Sequence, residues 1–146
     1  MKKVICVILY LFAFWTLIAC SGTKSISYDS YDKLVRDLEN KGYTVKTEDT
    51  AKNILNGERK WLTINEKEHI TVFLYPSTTS MKKDASYISD DGFSYNDGDS
   101  HVSIDWVSYP HFYKASNMIV LYVGEDSDMI DSLKELVGYQ FAGARE

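Results

Sequence analysis

The chain has almost no cysteine and almost no proline. Two of its 146 residues are Cys and two are Pro. Cys6 lies inside an apolar N-terminal stretch and Cys20 closes it. The rest of the chain therefore offers no free thiol and no disulfide, and must be held together by its core. Pro76 and Pro110 stand at apparent breaks between ordered segments. Basic residues are also short: 16 Lys and Arg face 21 Asp and Glu, a formal charge of −5. That excludes the basic footprint of a nucleic-acid binder and the Lys/Arg clusters that adhere to anionic lipid. No repeat or low-complexity tract is present.

The apolar stretch is itself too short to span a bilayer. Residues 4–19 number 16, where a spanning helix needs roughly 20. Met1, Lys2 and Lys3 precede it, and it ends in Leu17, Ile18, Ala19 and Cys20. A short positive start, an apolar segment and small residues before a cut make a secretory signal. With cysteine directly after the cut, the run resembles the lipobox of bacterial lipoproteins. That resemblance implies cleavage between Ala19 and Cys20, with Cys20 carrying a diacylglyceryl group. The expected organisation is a removed signal over 1–19, a lipidated cysteine and tether over 20–27, and one domain over 28–146. Each buried methylene is worth about 0.8 kcal/mol, so two acyl chains anchor stably where one does not. The tether is short: at roughly 3.3–3.6 Å per extended residue, the domain would sit within about 25 Å of its anchor. Loss of Lys2 and Lys3 would take the formal charge from −5 to −7. The body is then expected to be held off an anionic surface while the lipid holds it near.

Along the remainder, Tyr31, Leu34, Val35 and Leu38 share one helical face, and Gly42 stands where a helix C-terminal glycine belongs. The pattern predicts a helix over about 28–41, then a short strand over 43–46. Residues 49–56 read as a helical turn with Ile54 and Leu55 facing in. Residues 60–64 and 69–75 are rich in β-branched and aromatic side chains and form the clearest strand pair. A helix is expected over 77–88, capped by Ser77 or Thr78, with Met81, Ala85 and Ile88 as its stripe. Asp97 and Gly98 signal a hairpin joining a short strand at 93–95 to one at 101–107. Residues 118–123 are nearly all apolar and read as a central strand covered on both faces. A last helix is expected over 128–137, with Asp126 and Asp128 at its positive end. Hairpins punctuated by helices point to an α+β domain: an antiparallel or mixed sheet of about five strands, with about three helices packed mainly on one face.

Catalytic and metal signatures are weak. Asp90, Asp91, Asp97 and Asp99 offer oxygen ligands, but the calcium-loop pattern is missing and turn formation accounts for them more simply. His69, His101 and His111 lie in separate segments without metal-ligand spacing. No G-x-S-x-G elbow occurs. Ser103, Asp105 and His111 can be imagined as a triad, but nothing suggests an oxyanion hole beside them. No cofactor is implied. The most unusual run is 105–114, where Trp106, Tyr109, Phe112 and Tyr113 accompany His111 and Lys114 between two expected strands. As a loop it would offer Trp106, Tyr109, His111, Tyr113 and Lys114 as a binding surface, suited to sugars or cationic groups. As structure, Pro110 would fix a bend, Phe112 would fill the core, and Trp106 and Tyr113 would cover sheet edges. The structural reading is favoured because aromatic rings bury large areas wherever they can.

Asp91 and Gly92, Asp105 and Trp106, the run Pro110, His111, Phe112, Tyr113 and Lys114, the run 119–124, and Gly138 through Gly143 together resemble a family of small uncharacterised lipoproteins of Gram-positive bacteria. The resemblance covers about 28–143. It implies export, a lipid anchor on Cys20 and a single domain, and it transfers no active site. The expected function is a non-catalytic binding or accessory module at the outer face of the cytoplasmic membrane. Its partners would be the membrane, through the lipid on Cys20, and an envelope protein or small ligand, not nucleic acid. A hydrolase of envelope material and a metal- or small-ligand-binding lipoprotein are the alternatives.

Overall fold

The computed structural model describes residues 25–51 and 54–144. Cys20 and the segment over 1–19 lie outside the described residues. Eleven elements follow in chain order: α1 (Asp29–Asn40), β1 (Val45–Asp49), β2 (Glu58–Ile64), β3 (Glu68–Leu74), α2 (Thr78–Ala85), β4 (Ser94–Asn96), β5 (His101–Ser103), β6 (Pro110–Ala115), β7 (Met118–Val123), α3 (Ser127–Val137) and β8 (Ala142–Gly143). Six strands form one antiparallel sheet in the order β1-β2-β3-β7-β6-β8, and β4 and β5 form a separate hairpin. The class is α+β.

Strand alternation divides the apolar residues between two cores. Ile70, Val72 and Leu74 of β3, and Met118, Val120 and Tyr122 of β7, face Leu34 and Leu38 of α1 and Met129 and Leu133 of α3. Phe73, Ile119 and Leu121 face the other way, against Met81 and Ala85 of α2, Tyr95 of the hairpin, and Leu55. β7 lies between β3 and β6, and its near-continuous apolar sequence follows from burial on both faces. Two of the three helices cover one face. The chain from 75 to 109, carrying α2 and the hairpin, covers the other.

Local chemistry sets the ends. At the end of α1 the Tyr43 N–H reaches the Leu38 carbonyl at 3.2 Å and the Gly42 N–H reaches Glu39 at 2.9 Å. This Schellman closure needs the left-handed backbone that Gly42 supplies at φ +92°. Ser77 caps α2 by accepting the Ser80 N–H at 3.1 Å, and Asp126 caps α3 by accepting that of Met129 at 2.9 Å. At the β6–β7 turn, buried Asn117 donates from Nδ2 to the carbonyls of Ser27 at 2.9 Å and Tyr75 at 2.8 Å. That turn therefore fastens the start of the described chain to the end of β3.

Three local expectations change. Among the described residues of 49–56 no helical turn is present: Asp49 ends β1, and the chain around Leu55 is a bend that drops Leu55 into the second core. The strand expected over 101–107 stops at Ser103, because the chain turns to pack Trp106 against the sheet. The run from Pro110 is not a loop between strands but the strand β6.

Candidate binding site

β6 decides the fate of the aromatic run. It pairs with β7 along its whole length and with β8 at His111 and Phe112. Successive side chains therefore point to opposite faces. His111 and Tyr113 turn toward α3 and are 5% and 1% exposed, while Phe112 enters the opposite core. Lys114 is exposed, with Nζ 4.6 Å from the centre of the Phe141 ring. Trp106 is half-buried edge-on to Phe112 and donates from Nε1 to the Gly92 carbonyl at 2.8 Å. Only Tyr109, 54% exposed, is an open ring. The five residues read as one surface are thus divided by the sheet, and the loop reading gives way to core for His111 and Tyr113.

Two accessible clefts flank the short edge strand β8. The first, about 200 Å³, lies between β6, α3 and the segment after α3; Tyr113, Ile130, Tyr139 and Gln140 line it, with Lys134 at its rim. His111 is part of its wall and is locked in place. Its Nδ1 is 2.9 Å from Gln140 Oε1 and its Nε2 is 3.1 Å from the Gly124 carbonyl. The Gln140 amide nitrogen donates in turn to the Ala144 carbonyl. A neutral imidazole carries one N–H and donates at one of these contacts; the imidazolium donates at both. Neither Ser103 nor Asp105 is a partner of His111, so the three do not come together as a triad.

The second cleft, about 480 Å³ and more open, is lined by Asp90, Asp91, Phe93, Tyr109, Gly143 and Ala144. Gly92 makes it possible. Its φ is +76°, and a Cβ there would press on Gly143, Phe112 and Pro110. The Asp91 carboxylate accepts the Ser89 hydroxyl at 2.5 Å and the Phe93 N–H at 3.0 Å. Those two bonds hold its carboxyl below the usual carboxylate range. Asp97 instead caps its own turn, accepting the N–H groups of Asp99 at 3.0 Å and Ser100 at 2.7 Å. The four aspartates do not share a site: Asp90 and Asp91 line this cleft, while Asp97 and Asp99 line another. Among the described residues, no group of three or more His, Cys, Asp or Glu is placed to hold a metal ion.

Asp84 is the residue that sequence reasoning missed. It is 3% exposed and lies beside a polar pocket of about 440 Å³ with Asn56, Tyr75, Lys83 and Tyr87. Its carboxylate accepts the Asn56 N–H at 2.7 Å, Asn56 Nδ2 at 2.9 Å, and the hydroxyls of Tyr75 and Tyr95 at 2.7 Å each. Burial, then the bond to Asp84, pushes both phenols well above their ordinary value. The carboxylate has no cationic partner among the described residues; four donors take that role, tying α2 to the hairpin and to the end of β3. A signal was present: Asp84 falls three residues after Met81, inside the apolar stripe of its own helix, where a solvated carboxylate has no place.

No protein-family model, curated protein or solved structure matches this chain.

Proposed function

We propose that this protein is a lipid-anchored, non-catalytic binding module on the outer face of the cytoplasmic membrane, presenting the clefts beside β8 to an envelope partner. The anchor rests on the run Leu17, Ile18, Ala19 and Cys20 after a positive start and an apolar stretch. The binding role rests on one observation: the second cleft keeps Tyr109 and Phe93 open to solvent, 54% and 39% exposed, where neighbouring rings are buried or half-buried. Exposed aromatic walls in a concave site are typical recognition surfaces. Fractionation tests the anchor. Wild-type protein should sediment with membranes and carry a mass increment on Cys20, and Cys20→Ser should lack that increment. An unmodified Cys20, or an intact 1–19 segment on the wild-type protein, would remove the anchor from the reading.

A further inference from the structure

We infer that the cleft between Phe93 and Tyr109 docks a cationic segment, bearing Arg or Lys, of a basic envelope protein; this deepens the binding reading above. Three observations carry it.

The first is the chemistry of the walls. Two exposed rings flank two carboxylates, Asp90 and Asp91, in one concave site. A guanidinium or ammonium is attracted to ring faces and to carboxylates at once. Val107, 99% exposed, stands two residues from Tyr109, outside the cleft lining.

The second is unbalanced charge. Among the described residues every ion pair lies elsewhere, around α1, β1, β2, the β2–β3 turn and the α1–α3 contact. Asp90, Asp91, Asp105 and Glu125 are exposed around this pole. Between Asp84 and Asp131 the only Lys or Arg is Lys114, whose ammonium sits on the Phe141 ring; Arg145, which follows Ala144 of the cleft, lies outside the described residues. A complementary partner is basic.

The third is orientation. The described chain starts beside the β6–β7 turn, where Asn117 holds the Ser27 carbonyl. Tyr109 precedes the opposite end of β6. Six residues at about 3.3 Å each place the cleft roughly 20 Å from that turn along the strand. If the anchor lies before Ser27, the tether attaches at the end of β6 opposite the cleft, which leaves the cleft open to soluble or wall-side proteins. That favours a protein cation over a lipid headgroup.

The test uses the full mature protein purified from membranes in detergent, with acetylated tri-arginine amide as the probe and tri-glutamate as control. Binding is followed by calorimetry and by NMR shifts of Gly92, Phe93 and Tyr109. Tri-arginine should bind saturably, shift those resonances, and weaken as salt rises from 50 to 300 mM. Tyr109→Ala should weaken it about fivefold and Tyr109→Phe should restore it, since the ring face and not the hydroxyl carries the attraction. Asp90→Asn should weaken it, whereas Asp32→Asn, the same charge loss on α1, should not. Equal loss from Asp32→Asn, binding of tri-glutamate, or shifts confined to another surface would overturn the cleft assignment. Phosphatidylcholine vesicles shifting the Gly92, Phe93 and Tyr109 resonances where tri-arginine does not would overturn the protein partner in favour of a headgroup. The anchor fails separately: tri-arginine bound by a chain with unmodified Cys20 leaves the cleft standing and removes only its membrane orientation.

Discussion

Replacing Asp84 with alanine should destabilise the protein by about 3 kcal/mol. Two effects oppose each other. A buried carboxylate without a cation bears a desolvation cost of several kcal/mol, so its removal relieves the native state. Removal also strands its donors: the hydroxyls of Tyr75 and Tyr95, both buried, and the Asn56 N–H. Each orphaned buried group costs about 1–3 kcal/mol. The Tyr95 hydroxyl still accepts from Asn56 Nδ2 at 3.1 Å, and the neighbouring pocket admits water, so the sum falls near the low end of that range per group. Stranding wins because the donors stay buried after the acceptor has gone. Asp84→Asn keeps the size and one acceptor, and should cost about 1–2 kcal/mol. Urea unfolding followed by circular dichroism and by tryptophan fluorescence measures both. An Asp84→Ala variant within about 1 kcal/mol of wild type would refute the clamp, since four donors would then have found other partners at no cost. The clamp also has a pH signature. A phenol whose folded value is raised contributes stability that is fully present below its unfolded value, near 10, and is lost as pH climbs above it. Tyr75, Tyr95 and Tyr122 are all raised, each mainly by burial. In an absorbance titration these rings should ionise only with alkaline unfolding, above the exposed tyrosines, and Asp84→Ala should bring that unfolding to lower pH.

Gly143→Ala should cost at least about 2 kcal/mol: Gly143 has φ +109°, and a Cβ there would overlap the Pro110 carbonyl oxygen. Hydrogen exchange should show β8 released before the rest of the sheet, and protection equal to wild type would refute the clash. His111→Ala should lower stability by about 2 kcal/mol, because it empties a packed site and unties Gln140 and Gly124, whereas Tyr109→Ala should stay within about 0.5 kcal/mol. Equal melting temperatures for the two variants would contradict the placement of His111 in the wall.

The fold was legible where side-chain period and covering layers agree. Leu34 and Leu38 at helical spacing, the capping serine before α2, Gly42 after α1, and the apolar run of β7 each reflect short-range rules acting on adjacent residues. Their boundaries fell within a few residues of the observed ones. The run from Pro110 was not legible, because its rings suit a recognition loop as well as a strand. Composition alone cannot say that Phe112 faces one core while Tyr113 faces the other.

Neighbours distant in the chain made that choice. β6 is a strand because Met118–Val123 returns beside it and because Ala142 and Gly143, a pair too short to announce a strand, close its other edge. Asp84 is a clamp because Tyr75, Tyr95 and Asn56 converge on it from three separate segments. The class, most of the elements and the two-faced burial of the central strand follow from local periodicity and capping, which adjacent residues carry. Packing between distant segments splits the aromatic run between two cores, leaves one ring of it open beside Asp90 and Asp91, and lets a buried carboxylate bind the second layer together. Each of those depends on which surfaces meet, and contact between distant segments leaves no period to read.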